Sequence, residues 1–431
     1  MLPAAAALEM KRGSVLYRDV WYDKPPLVPA ICLLWGAKIG AALRLGGAVY
    51  GFAACVLAYA FAARAWTRRE GYWAAALMGF FLTFDTLSGV IPLTADMLLV
   101  VPQMAAVMLA YRKQPLASGI AAGIGFLFNT KAVFVLAACA LFGWPSIVPL
   151  AAGFALPCLA ALGWLGATGS LAPYIDQVWR WPAAYAGSPV VSDPVWNGVV
   201  RSVNWLGFHV ALLIGAAVVW LRKPQWRFAA WALIAYAGVI PGWRFFPRYF
   251  LLLLPPLVIA AARGLSTVHA RWIAVLALAT MTVPLVRFGP RYFTLEKSPD
   301  LAMDRDSRQA ARIALRYPGK TLYVWGYRPE LFLYTNLRPA TKWLDSQALT
   351  GVPADRHLTQ SEVVLKSGTA EARAELARSE PDILIDGLSP FNPALSMDRY
   401  PELRAWLGSY HEAARTWSTV IYVRGAGGKL D

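Results

Sequence analysis

The chain has 431 residues, of which 58% are hydrophobic and only 15% charged, whereas an ordinary soluble protein carries about 25% charged residues. That balance excludes a pair of conventional soluble domains, and it excludes a disordered chain. The formal charge of +16 invites a nucleic-acid reading, but its distribution argues against one.

Residues 1–288 hold eight acidic side chains against 22 basic ones, a net of +14, whereas residues 289–431 hold 17 against 19, a net of +2. The first part reads as a membrane domain and the second as a soluble one. A basic excess in a membrane protein reflects loops retained in the cytoplasm. No basic stripe with groove-reading elements is visible, so a nucleic-acid partner is excluded. Cys32, Cys55, Cys139 and Cys158 all lie in apolar segments and give neither a disulfide framework nor metal-ligand spacing.

In chain order, residues 1–44 read as a juxtamembrane segment on the outer face. Within it, residues 25–43 are apolar but broken by Pro25, Pro26, Pro29, Gly36 and Lys38, so they are expected to lie along the membrane surface, with a spanning helix as the alternative. Residues 45–288 read as the transmembrane domain. Ten apolar stretches are expected as helices: 45–64, 71–90, 92–111, 115–129, 132–144, 147–168, 204–221, 227–242, 248–264 and 271–288. A full crossing takes roughly 20 apolar residues, and the fourth and fifth stretches fall short. Basic clusters at Arg64–Arg69, Arg112–Lys113, Arg222–Arg227 and Arg263–Arg271 fall on one side of this alternation, which is assigned to the cytoplasm. The N-terminal segment, the 169–203 loop, the 243–248 turn and residues 289–431 then face outward, in an integral, multi-pass inner-membrane protein. In the last region the runs 321–326, 382–387 and 417–424 read as strands and 371–380 as a helix, a small extracytoplasmic α/β domain.

Few acids in the membrane part leave few candidates for chemistry. Glu70 reads as a solvated loop charge and Asp193 as a turn residue. Asp85 and Asp96 lie within apolar stretches, where an ionisable side chain faces a cavity or a partner; for Asp85 a structural role has equal standing. The segment YRDVWYDKPPL (17–27) gathers Arg18, Asp19, Asp23 and Lys24 among interfacial aromatics, and its double proline stiffens the chain beside Lys24. In WRFFPRYFLLLLPPL (243–257), Arg244 and Arg248 stand against the positive-inside bias. Cations there call for an anion such as a phosphate, with snorkelling to lipid headgroups as the alternative. Lys131 in FLFNTKAVF is a third such base. Asp176 and Arg180 are spaced to pair on an interfacial helix.

RGSVLYRDVWYDKPPLVPAI, TADMLLVVPQMAAVML, GIAAGIGFLFNTKAVFVL, RFFPRYFLLLLPPL and TLYVWGYRPELFLYTNLRPATKW follow one another along most of the chain. As an ordered set they resemble the polyprenyl-phosphate-dependent membrane glycosyltransferases of the C-type superfamily, which include protein O-mannosyltransferases and lipid A aminoarabinose transferases. The resemblance implies a polytopic α-helical membrane fold of about ten helices with a C-terminal extracytoplasmic α/β domain. It also implies transfer of a sugar, with inversion, from a polyprenyl phosphate to a lipid, glycan or protein acceptor. On that resemblance, Lys24, Arg248 and Tyr249 approach the donor phosphate, and Arg244 and Lys131 are further donor-binding candidates. Asp96 and Asp19 are the catalytic carboxylate candidates, and Asp23 and Asp85 contact acceptor or sugar. The resemblance admits a divalent cation without requiring one, and no acid cluster forms a metal site.

Family members carry an Asp-Glu pair roughly a dozen residues ahead of the position of Arg12-Gly13, and its Asp is the base. This sequence has no such pair, and Glu9 stands too close to Gly13. The expectation is an N-terminally shortened chain lacking its first helix and main base, or an inactive member. The competing functions are a transporter or lipid flippase, against which no two-fold repeat is visible, and an envelope-assembly scaffold without catalysis.

Overall fold

The computed structural model describes residues 1–85, 93–143, 146–188, 191–222, 225–268, 271–294 and 299–425. It opens with α1 (Leu2–Lys11) and the short α2 (Leu27–Cys32), followed by one 3-10 turn, Leu33–Trp35. At six residues α2 is too short to span a bilayer. Gly36 and Gly40, both at positive φ, break the chain before α3 (Ala41–Ala65). Then come α4 (Arg68–Asp85), α5 (Ala95–Tyr111), α6 (Pro115–Phe128), α7 (Ala132–Gly143) and α8 (Ile147–Ala167). The helices α3 and α8 and the stretch Arg271–Pro290 are long and apolar enough to cross a membrane, while α5, α6 and α7 are apolar but shorter.

Residues 169–203 were expected as a loop. They are largely helical: α9 (Leu171–Tyr174), a π-helical turn at Ile175–Arg180, α10 (Trp181–Ala186) and the start of α11 (Pro194–Phe208). Asp193 is the N-cap of α11, its carboxylate accepting from Trp196 N at 2.9 Å, and Pro194 stands where a missing N–H costs nothing. The stretch 204–221 is not one helix either. It bends by 84° between α11 and α12 (Val210–Arg222), where the buried His209 imidazole bonds Trp205 O through Nδ1 at 2.8 Å.

After α13 (Trp226–Ala237), the run expected as a helix from 248 begins as a 3-10 turn, Pro247–Leu252. The helix α14 (Leu254–Thr267) follows, with prolines in its first turn. Two shorter helices, α15 (Arg271–Thr280) and α16 (Thr282–Phe293), complete the region. The pairs α6–α8 and α12–α14 approach so closely that only glycine fits: a Cβ on Gly119 would lie 2.1 Å from Leu150 O, and one on Gly264 1.8 Å from Gly215 O.

The C-terminal region comprises α17 (Pro299–Ala314), β1 (Thr321–Trp325), α18 (Glu330–Thr335), β2 (Arg338–Pro339), α19 (Gln347–Thr350), α20 (Thr369–Ser379), β3 (Ile383–Asp386), α21 (Pro401–Leu407), β4 (Tyr410–Arg415) and β5 (Val420–Arg424). The strands form one sheet in the order β2-β1-β3-β5-β4, parallel across its first three strands and antiparallel across the rest. Alternation sends Leu322, Val324, Ile383 and Ile385 to one face and Tyr323, Trp325 and Leu384 to the other. The first face shares a continuous core with α1, with Leu16 and Tyr17, and with Leu98 and Phe128 from the helical region. Polar bonds reinforce the union: Arg12 donates to Asn336 O at 2.6 Å and to Leu337 O at 3.2 Å, and Trp21 N donates to Lys342 O at 2.8 Å.

Candidate anion site at the Asp96 end of the helices

Asp96 stands in the first turn of α5, whose N-cap Thr94 accepts from Met97 N at 3.2 Å; a carboxylate suits the positive end of the helix. Between α6 and α7 the chain leaves helical geometry at Asn129, and this break turns two polar side chains onto Asp96. Asn129 Nδ2 donates to Asp96 Oδ1 at 3.0 Å, and Lys131 Nζ lies 3.2 Å from the same oxygen. Arg248 Nε, from the Pro247–Leu252 turn, stands 3.6 Å from Asp96 Oδ2.

Tyr249 lies beneath these cations, its ring centroid 3.1 Å from Lys131 Nζ, and the Arg248 guanidinium is 4.8 Å from the Phe246 ring. Lys24 reaches the group from the N-terminal segment, near enough to feel the charge of Arg248 and Lys131. Its own partner is Asp23, at 2.8 Å. The loop that presents it is fixed from both sides. Tyr17, at φ 69°, donates to Lys24 O at 2.8 Å, and the buried Gln177 bonds Tyr17 O and Tyr22 N at 2.8 and 2.9 Å.

Burial sorts these groups by reach. The side chains of Asp96 and Lys131 are 10% and 14% exposed, those of Arg248 and Lys24 45% and 49%. An arriving anion would therefore meet Lys24 and Arg248 first, with Lys131 behind them. Asp96, its oxygens engaged by Asn129, Lys131 and Arg248, is placed to orient those cations.

The remaining predicted residues divide. Asp23 lies by the cluster and is close enough to the C-terminal domain to interact electrostatically with Tyr327 and Asp345. Asp19 serves its own turn, accepting from Val15 N at 2.8 Å and pairing with Arg18 at 2.9 Å. Arg244 is buried and engaged by Asp355 at 2.5 Å, which takes it away from the role of an exposed donor contact. The Asp85 side chain lies outside the described residues. Asp176 and Arg180 pair at 2.5 Å on the surface. Glu70 is not the solvated charge expected: it is buried, accepts from Thr67 and pairs with Arg263 of α14.

Sequence reasoning missed Asn129, Gln177, Asp345 and Asp355. An amide two residues before Lys131 in an apolar run was a usable signal for Asn129. Asp345 and Asp355 were two among 17 acids of the C-terminal part, with nothing to single them out.

The fold, a long series of helices followed by a C-terminal α/β region, is shared with solved structures of ArnT. The crystal structure of ArnT from Cupriavidus metallidurans in the apo state superposes with a TM-score of 0.61 at 15% identity, covering 99% of this chain and 94% of that one. The structure of ArnT from the same organism bound to undecaprenyl phosphate gives 0.59, with the same identity and coverage. No protein-family model matches the sequence. Among curated proteins, none matches.

Proposed function

We propose that this protein is an inverting glycosyltransferase that moves a sugar from a polyprenyl-phosphate donor to an acceptor on the extracytoplasmic face of the membrane. The observation that carries this reading is the convergence of Lys131 and Arg248 on Asp96 and Tyr249, with Lys24 within electrostatic reach of them. The similar ArnT structure bound to undecaprenyl phosphate supports it.

As the anomeric C–O bond breaks, negative charge grows on the departing phosphate. Cations already held in place stabilise that charge without reorganising. Lys24 and Arg248 bind the phosphate oxygens, and Lys131 adds its charge from behind. Asp96 orients Lys131 and Arg248. The acceptor oxygen attacks the face opposite the phosphate, and its proton leaves to a carboxylate. Asp23, paired with the exposed Lys24 at 2.8 Å, contacts the acceptor or the sugar.

Orientation follows from charge. Lys113 bonds Phe142 O at 2.7 Å and Arg222 bonds Thr267 O at 3.1 Å, at helix ends remote from Asp96. Such basic ends belong in the cytoplasm, which leaves the Asp96 end and the C-terminal domain outside.

The test uses the full chain in lipid nanodiscs. Undecaprenyl phosphate should bind in preference to undecaprenol, and Lys24→Ala and Arg248→Ala should each erase the preference. A folded wild-type chain indifferent to the phosphate would overturn the reading. Flux of a lipid or solute in proteoliposomes, without transfer, would favour the transporter instead.

A further inference from the structure

We infer that Asp355 of the C-terminal domain is a positioning residue for the phosphate site, acting through Arg244 on the segment that presents Arg248 and Tyr249. The inference rests on reading the Lys24–Lys131–Arg248 cluster as a phosphate site.

Asp355 and Arg244 are 111 residues apart in sequence and meet at 2.5 Å. The Arg244 side chain is 2% exposed and that of Asp355 21%. The backbone around Arg244 is unusual. Gly242, Trp243 and Phe245 lie at φ 80°, 52° and 45°, the left-handed region. Only the first of the three is a glycine, and bulky residues hold this conformation only where surrounding contacts enforce it.

Two contacts do so here. Phe245 is buried and wedged against α11 at Gly198, where a Cβ would lie 2.6 Å from its ring. Arg244, between the two strained residues, is anchored by Asp355. The next turn is the 3-10 segment Pro247–Leu252, which carries Arg248 and Tyr249. A second fastening stands beside the first: the buried Arg356 donates to Ser188 Oγ at 3.2 Å and to Ser188 O at 2.6 Å.

Physical chemistry links these facts. A buried guanidinium that loses its carboxylate turns toward water, because the uncompensated charge is costly where it stands. Arg244, 2% exposed, pulls on its own backbone in turning outward. That backbone is already strained, so it relaxes toward ordinary φ values and carries the following turn with it. Arg248 then shifts relative to Asp96 and Lys24, and a displacement of about 1 Å in a charged constellation costs up to about a hundredfold in function. Docking of the C-terminal domain thus completes the phosphate site without contributing a group to it.

The test compares binding of undecaprenyl phosphate and undecaprenol to the full chain in nanodiscs, with hydrogen exchange read at residues 243–249. Asp355→Asn should lower affinity for the phosphate by about tenfold or more, leave undecaprenol binding unchanged and speed exchange in that segment. Ser188→Ala, which trims only the neighbouring fastening, should leave the phosphate preference intact. If Asp355→Asn does not fold, Arg244→Lys keeps the charge but loses the fork, and it should give a smaller loss of the same selective kind. Wild-type preference in the variant that folds overturns the inference. So does an equal loss for both lipids with a lowered Tm, which marks a merely structural pair. A wild-type chain with no phosphate preference overturns the functional reading and this inference with it, a result distinct from the other two.

Discussion

At one end of the helices the buried Glu70 meets Arg263 and accepts from Thr67; at the other, Asp96 stands among Lys131 and Arg248, with Lys24 farther out. Both acids belong to helices of the same region and both are buried. The difference lies in the count of cations. Among the described residues Glu70 pairs with Arg263 and ties α4 to α14, whereas Asp96 has two cations beside it, Lys131 buried and Arg248 45% exposed. A pair of this kind joins two elements, whereas several cations about one carboxylate, some of them exposed, suit the phosphate-binding role proposed above.

Substitutions at the two ends test this contrast. The largest effect is expected for Arg248→Ala, which should cut transfer by about a hundredfold or more by removing a preplaced cation from the leaving phosphate. Steady-state kinetics with a polyprenyl-phosphate sugar checks it. Asp96→Asn should cost less, about tenfold, because the cations stay but lose the carboxylate that orients them. The same assay should show the loss in kcat and donor KM together.

Glu70→Gln should leave transfer kinetics intact and lower stability by about 1–3 kcal/mol. That is below the figure for a fully buried pair because Arg263 keeps 29% of its side chain exposed. An unfolding titration in mixed micelles reads it. If Glu70→Gln instead abolished activity with stability unchanged, the contrast between the two ends would collapse.

A pH effect is expected in the C-terminal domain. Burial raises the Asp345 carboxyl to about 7, against hydrogen bonds from Gln347 that act to lower it, and the Asp23 charge adds to the rise. The folded state therefore holds a proton that the unfolded chain releases near pH 4. Stability falls as pH rises between those two values, by about 1.4 kcal/mol per unit, and levels off above the folded value. Asp345→Asn should flatten the dependence of Tm on pH between 4 and 7. The smallest effect belongs to Asp176→Ala. Its pair with Arg180 is exposed, so neither Tm nor transfer should change measurably.

Hydrophobic runs placed the helices well, because membrane segments announce themselves by length and apolarity. The expected stretches 132–144 and 147–168 coincide almost residue for residue with α7 and α8. Three of the five strands were legible, two as short apolar runs ending in glycine and one as a β-branched run. The other two were not, since β2 has only two residues and β4, YHEAAR, shows no apolar alternation. The bend at His209 escaped notice because the sequence on either side is equally apolar; a side chain bonding to the backbone made the break. In the cluster, Lys24, Lys131, Arg248 and Asp96 could be selected as charges in unlikely places. What escaped was the local pairing. Arg244 and Arg248 look alike four residues apart, yet the fold directs one to Asp355 and the other to Asp96. That choice depends on left-handed backbone at Trp243 and Phe245, which no composition rule foresees.

The hydrogen bond from Arg12 to Leu337 joins residues 325 positions apart. A ribosome adding about 5–20 residues per second needs roughly 15–65 s to make that length of chain. Through that interval α1 and the Lys24 loop lack the surface they pack on, and Arg244 lacks Asp355. In the newborn chain the helices therefore precede the contacts that fasten the Lys24 loop and Arg244. The timing of these contacts belongs to the second half of the chain.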